Sequence, residues 1–281
     1  MKRITWLTAA VGLTLASAVR ADPPVIVTFE GAGANAAAIT ATRDAFRTAV
    51  GGGTVAGANG SFGGLRREIN WDGVPDAQAD PNPFSANFFN VNSPRGVVFN
   101  TPGTGFFVSA NAGQSAPVLF GFPNDFQVFS AQRLFTAVNS NITDVRFFVP
   151  GTNTATTTSA FGLVFVDVEV AGSTRLQFFD ANDVQLYSHD ALVAGNQGLT
   201  FLGAVLDSAA IARVRITSGT NTIVSNGVVG NQIDDIVVMD DFVYAEPLVA
   251  APVPEPSTVA LMGLGLLGAF AARRRRAERS R

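Results

Sequence analysis

The feature that most constrains this 281-residue chain is the way its apolar residues are grouped between Leu65 and Tyr244. They come in short runs, interrupted by turn signals such as Pro150-Gly151, Ala171-Gly172, Asn182-Asp183 and Gly195-Asn196. Runs of that length suit strands and are too short for packed helices. Strands are expected at Val25–Phe29, Leu65–Asn70, Val97–Asn100, Phe106–Ala110, Pro117–Phe122, Gln132–Val138 and Thr143–Val149. Further strands are expected at Phe161–Val170, Arg175–Asp180, Val184–His189, Leu199–Leu206, Ala212–Ser218 and Asp235–Tyr244. In Ala212–Ser218, Ala212, Val214 and Ile216 alternate with Arg213 and Arg215; in Thr143–Val149, Val145, Phe147 and Val149 alternate with Asp144 and Arg146. Phe161–Val166 is apolar on both faces, as a central strand covered on both sides would be. One stretch, Asn35–Val50, places Ile39, Phe46, Ala49 and Val50 on one side of a helix, and Gly51–Gly53 should end it. Thr54–Gly64 is Gly-rich and reads as a loop. The expected body is an all-β, antiparallel β-sandwich of jelly-roll type with one short N-terminal helix.

Composition narrows the chemistry. Charged residues are 15% of the chain, against roughly 25% in an ordinary soluble domain. The absence of Cys excludes disulfides, thiolate metal sites and Cys nucleophiles, and a single His excludes a multi-His zinc site. Residues 22–272 hold ten basic and 21 acidic groups, a net charge of −11, while both termini are basic. A body so acidic repels phosphate backbones, so no nucleic-acid partner is expected, whereas divalent cations would be attracted.

The termini read as addresses. Residues 1–21 have the layout of a signal peptide: Lys2 and Arg3, an apolar run from Ile4 to Ala18, and small residues at Ala16-Ser17-Ala18 and Val19-Arg20-Ala21 where cleavage would occur. The body is expected to span residues 22–247. A linker at 248–257 ends in Val253-Pro254-Glu255-Pro256-Ser257. An apolar segment at 258–272 is expected to form a transmembrane sorting helix, spanning some 20 Å at about 1.5 Å per residue. Arg273, Arg274, Arg275 and Arg276 open a basic tail at 273–281 that should stop transfer and stay cytoplasmic. This order, with Pro254-Glu255-Pro256 at its head, resembles the PEP-CTERM sorting signal of Gram-negative bacteria. The resemblance implies recognition by exosortase, a membrane-embedded, transpeptidase-like enzyme, and association with exopolysaccharide or biofilm matrix. It also implies an inner-membrane-anchored precursor whose body is delivered to the cell surface or matrix.

Within the body, Asp240 and Asp241 stand in the last expected strand. Strict alternation puts Asp240 with Ile236, Val238 and Phe242, and Asp241 with Val237, Met239 and Val243, so one carboxylate faces the core unless a bulge intervenes. A buried carboxylate needs a partner or a metal. Glu30 ends the first strand in Thr28-Phe29-Glu30-Gly31. Its combination with Asp240 and Asp241 resembles the first- and last-strand acids that hold a structural Ca²⁺ in many jelly-roll binding modules. The bland reading is that these acids cap strand ends or pair with Arg. A second stretch, Trp71-Asp72-Gly73-Val74-Pro75-Asp76, offers Trp71, Asp72 and Asp76 as a weak ligand-binding face or simply a turn. His189 is the sole imidazole, and no nucleophile elbow or phosphate loop accompanies it, so no enzymatic activity is expected. The expected role is structural or adhesive within extracellular polysaccharide. A carbohydrate-binding module, and then a secreted glycoside hydrolase, are the alternatives.

Overall fold

A computed structural model describes residues 24–114, 118–223 and 234–249, together with Leu264, Gly265 and Gly268. The expected signal peptide, the Pro254-Glu255-Pro256 motif and the basic tail lie outside the described residues, as does nearly all of the expected transmembrane segment. Among the described residues, no helix is long and apolar enough to cross a membrane. Pro23–Ala250 forms one compact unit.

The chain enters through strand β1 (Ile26–Gly33) and turns directly into helix α1 (Ala36–Val50). Asn35 caps that helix, its side-chain oxygen accepting from the Ala38 N–H at 3.3 Å. Gly51 ends it at φ 90°, a left-handed conformation that glycine adopts freely, and donates its N–H to the Arg47 carbonyl. Ile39 and Phe46, from the expected stripe, are fully buried. Next come β2 (Ser61–Phe62), β3 (Arg66–Ile69), the short helix α2 (Phe88–Val91), β4 (Val97–Asn100) and β5 (Gly105–Val108). The remainder is strand: β6 (Phe135–Val138), β7 (Ile142–Phe147), β8 (Ala160–Val166) and β9 (Arg175–Phe179). β10 (Gln185–Asp190), β11 (Leu199–Leu206), β12 (Arg213–Thr217) and β13 (Val238–Ala245) complete it.

These strands form two antiparallel sheets packed as a sandwich. The first runs β1-β11-β8-β13-β3-β2, with β6 pairing to β13 and β5 to β6. The second runs β10-β9-β12-β7-β4. From β7 onward the chain passes back and forth between sheets, except at the β9–β10 hairpin, so most neighbouring strands come from distant sequence. The first sheet has the second sheet against one face and α1 against the other, which is why β8 is buried at every position. In β12 the expected alternation holds: Val214 and Ile216 enter the core, while Arg213 and Arg215 both reach Asp144 across the ladder on the other face.

Between the sheets lies an aromatic core. Trp71 stacks on Phe135 with centroids 4.0 Å apart and planes within 5°, and meets Phe242 edge-on at 5.1 Å. Such pairs add about 0.5–1.5 kcal/mol each beyond the burial of their area. On the opposite face, α1 lies close because Gly162 of β8 and Gly203 of β11 pair directly beneath Phe46. A Cβ on Gly203 would stand 2.9 Å from the Gly162 Cα and 3.0 Å from the Phe46 ring.

Two local expectations are corrected. The described part of the segment 117–122 is not a strand but a 3₁₀ turn at Leu119–Gly121, with Leu119 and Phe120 at φ 52° and 56°. Left-handed residues cannot continue a ladder, and the turn instead buries Phe120. The Gly-rich stretch read as a loop contains β2, joined to β3 by a tight hairpin in which Gly63 and Gly64 have φ 64° and 71°. Three residues, Gly63–Leu65, join the paired Phe62 and Arg66, and the two glycines are the central pair of a turn closed by the Leu65 N–H donating to the Phe62 carbonyl at 3.3 Å.

Candidate functional site

Arg43 and Arg47 sit four residues apart on α1 and therefore share a helix face. That face looks over the outer side of the first sheet towards the β2–β3 hairpin, which supplies Phe62, Arg66 and Glu68. Arg47 Nη2 meets Glu68 Oε2 at 2.5 Å, and Arg66 Nε meets Glu68 Oε1 at 2.8 Å. The Arg66 guanidinium lies 4.4 Å above the Phe62 ring and donates to the Gly51 and Gly53 carbonyls. Two cavities open here, of about 500 Å³ and about 320 Å³. Arg43, Arg47 and Phe62 line both, so they form one groove.

The floor of the smaller cavity comes from a bulge in β13. Met239 pairs with Phe165 and Phe242 with Leu163, so Asp240 and Asp241 together oppose Val164. Strict alternation therefore fails: Met239 and Phe242 pack between the sheets, whereas Val238 and Val243 pack on the outer, α1 side. Both carboxylates reach Ser130, whose hydroxyl is 3.2 Å from Asp240 Oδ1 and 2.8 Å from Asp241 Oδ1. Asp240 also accepts the N–H groups of Phe129 (2.7 Å), Ser130 (3.2 Å) and Asp241 (2.8 Å). Burial and the adjacent Asp241 carboxylate push Asp240 well above the usual carboxylate range, against the pull of those N–H groups. Burial also raises Asp241, opposed by the Ser130 hydroxyl and by the charges of Arg47 and Arg43. Arg43 Nη1 is 3.9 Å from Asp241 Oδ2.

The three acids expected to hold Ca²⁺ are not brought together. Glu30 lies on β1, three strand spacings from β13, a separation of about 14 Å. Its carboxylate meets His189 Nε2 at 2.8 Å, tying β1 to β10. Asp240 and Asp241 already have hydrogen-bond partners, and the bulge turns them towards Ser130 rather than towards β1. Among the described residues, no group of three His, Cys, Asp or Glu side chains is placed to hold a metal ion. The expected ligand face at Trp71, Asp72 and Asp76 is likewise not a face. Trp71 is 1% exposed and belongs to the core, so its ring is closed to a sugar. Asp72 accepts the N–H groups of Gln132 and Arg133, and Asp76 pairs with the buried Arg133 at 2.6 Å. Burial raises Asp72 above its ordinary range.

Elsewhere, Asp235 accepts the N–H groups of Glu169 and Val170 and the Ser173 hydroxyl, while the Asp167 carboxyl, buried beside it, is pushed up to about 7. Desolvation is the main cause, followed by the neighbouring carboxylates of Glu169, Asp125 and Asp235 against a Gln197 N–H. The only imidazole of the chain is engaged with Glu30 and makes no hydrogen bond to a serine among the described residues.

The groove residues Arg43, Arg47, Arg66, Glu68, Arg95 and Ser130 were not singled out by sequence. The spacing of Arg43 and Arg47, which flank the Ile39 and Phe46 stripe along one side of the helix, is the one readable sign. No curated protein is significantly similar to the chain. Residues 252–276 match the PEP-CTERM protein-sorting motif. That motif implies an exported protein that exosortase sorts to the cell surface.

Proposed function

We propose that the body is a structural or adhesive component of an extracellular polysaccharide layer, held at the surface or in the matrix after its tail is processed. The observation that carries this reading is the sorting motif at 252–276, which follows a β-sandwich body. On this reading residues 1–21 direct export, 258–272 anchor the precursor in the inner membrane, and Arg273–Arg276 remain cytoplasmic. The passage of the chain from sheet to sheet after β7 supports a jelly-roll arrangement, one that leaves loops and grooves free for ligands.

The test is fractionation of cells that make both exosortase and exopolysaccharide. The full-length protein should reach the polysaccharide-bound fraction, and a chain lacking 252–276 should not. Equal recovery of both chains from culture medium, free of polysaccharide, would sink the proposal. The narrower reading, a carbohydrate-binding module, is favoured by the groove beneath α1. A hydrolase would require turnover of a polysaccharide by the purified protein.

A further inference from the structure

Ten arginines are the only strong bases between residues 22 and 272, a region with 21 acids. Four of the ten line the groove beneath α1: Arg43, Arg47, Arg66 and Arg95. Against them stand only Asp44, Glu68 and Asp241. The acids engage only part of the four. Asp44 meets Arg43 Nη2 at 2.9 Å and Arg47 Nη1 at 3.2 Å, and Glu68 meets Arg47 Nη2 and Arg66 Nε, which leaves Arg43 Nη1 without a hydrogen bond among the described residues. Arg66 spends two of its nitrogens on the carbonyls of Gly51 and Gly53, and Arg95 donates to the Glu68 carbonyl and to Ser93. Arg47 Nε is buried without an acceptor among the described residues. Arg43 Nη1 stands 3.9 Å from Asp241, beyond hydrogen-bonding reach. Four guanidinium groups against three carboxylates thus leave an excess of one positive charge in a concave site on an otherwise acidic molecule.

We propose that this groove binds a carboxylate- or sulfate-bearing sugar chain, with Arg43 and Arg47 meeting its anionic groups where the two cavities join. The proposal rests on the polysaccharide reading above and adds a site and a charge to it. Guanidinium forks recognise carboxylate and sulfate through paired, charge-assisted hydrogen bonds. Two connected cavities of about 500 Å³ and about 320 Å³ suit consecutive units of a chain rather than one small ion. Asp241 is the one carboxylate that faces Arg43 from the floor, and burial pushes its carboxyl above the ordinary range against the pull of Arg47 and Arg43.

The experiment uses the full-length chain purified in detergent, with affinity measured by calorimetry against polygalacturonate, dextran sulfate, neutral dextran and a single-stranded oligonucleotide. One or both acidic polysaccharides should bind, and dextran and the oligonucleotide should not. Arg43→Gln should weaken binding about tenfold, the value of one charge-assisted pair. Thr48→Trp, at an exposed position lining the larger cavity, should weaken it as much without removing a charge. Arg146→Gln, exposed on the second sheet, should change nothing. Circular dichroism confirms that each variant is folded. Acidic polymers bound equally by wild type, Arg43→Gln and Thr48→Trp would overturn the groove and leave the polysaccharide reading standing. Failure of the folded protein to bind either acidic polymer, or equal binding of dextran or the oligonucleotide, would overturn the proposal. The fractionation above then judges the broader reading by itself.

Discussion

The two faces of the first sheet are built from opposite materials. Towards the second sheet it presents Phe135 and Phe242, which meet Trp71, and Phe161 and Tyr244 beside them, with hardly a charge among them. Towards α1 it presents Phe201 and Val243 beside Glu68, Asp240, Asp241 and the arginines that answer them. One face is held by shape and dispersion, where any void is felt. The other is held by a chain of ion pairs and backbone donors, where any unpaired group is felt. The β13 bulge is where the two regimes meet, because it sends Met239 and Phe242 inward and both aspartates to the other side.

Substitutions can break this contrast in order of expected size. Trp71→Ala should be the most damaging, costing about 3–5 kcal/mol in urea titration, because the ring is fully buried against five aromatic partners. A loss near zero would mean that the aromatic side is not the rigid one. Asp240→Ala should cost about 2–4 kcal/mol by stranding the N–H groups of Phe129, Ser130 and Asp241, whereas Asp240→Asn, which keeps an acceptor, should cost less than half as much. Equal losses for the two variants would show that the carboxylate's charge, rather than its hydrogen bonds, matters there.

Gly203→Ala should cost about 1–3 kcal/mol, read as a lower melting temperature, since the new methyl meets both the Gly162 backbone and the Phe46 ring. The smallest effect is a gain. Asp167, with its carboxyl raised to about 7, keeps its proton in the folded state after the unfolded chain has lost it. Stability therefore falls as pH rises from about 4 to about 7, the reverse of a salt-bridged acid. Asp167→Asn should remove that decline and stabilise the protein by about 1–2 kcal/mol at pH 8, with no gain at pH 4. Asn also tolerates the φ of 75° found there. A pH-independent difference would discount the buried charge.

Much of the architecture was legible because its signals are local. The spacing of Ile39, Phe46 and Val50 and the stop at Gly51 mark α1, and the runs at Val97–Asn100 and Leu199–Leu206 are strands over the same residues. Where the reading failed, a tertiary demand overrode a local pattern. Val118 to Phe122 has a strand's composition, but the chain turns left-handed there to bury Phe120. Trp71 stands among turn residues, yet the loop folds under and places it at the centre. Alternation could not show that β13 holds one residue too many. The groove left the faintest trace, because its contacts join Arg47 to Glu68 across 21 positions and Phe129 to Asp240 across 111.

The place of β13 has a mechanical meaning. Only six residues separate its end at Ala245 from the start of the sorting motif at 252. Yet β13 is no edge strand: it is laced to β8 on one side and to β3 and β6 on the other. Tension reaching the body through its C-terminal tether would load an interior stave gripped by three neighbours. On the proposed reading, a pull on the tail would bear on several ladders at once.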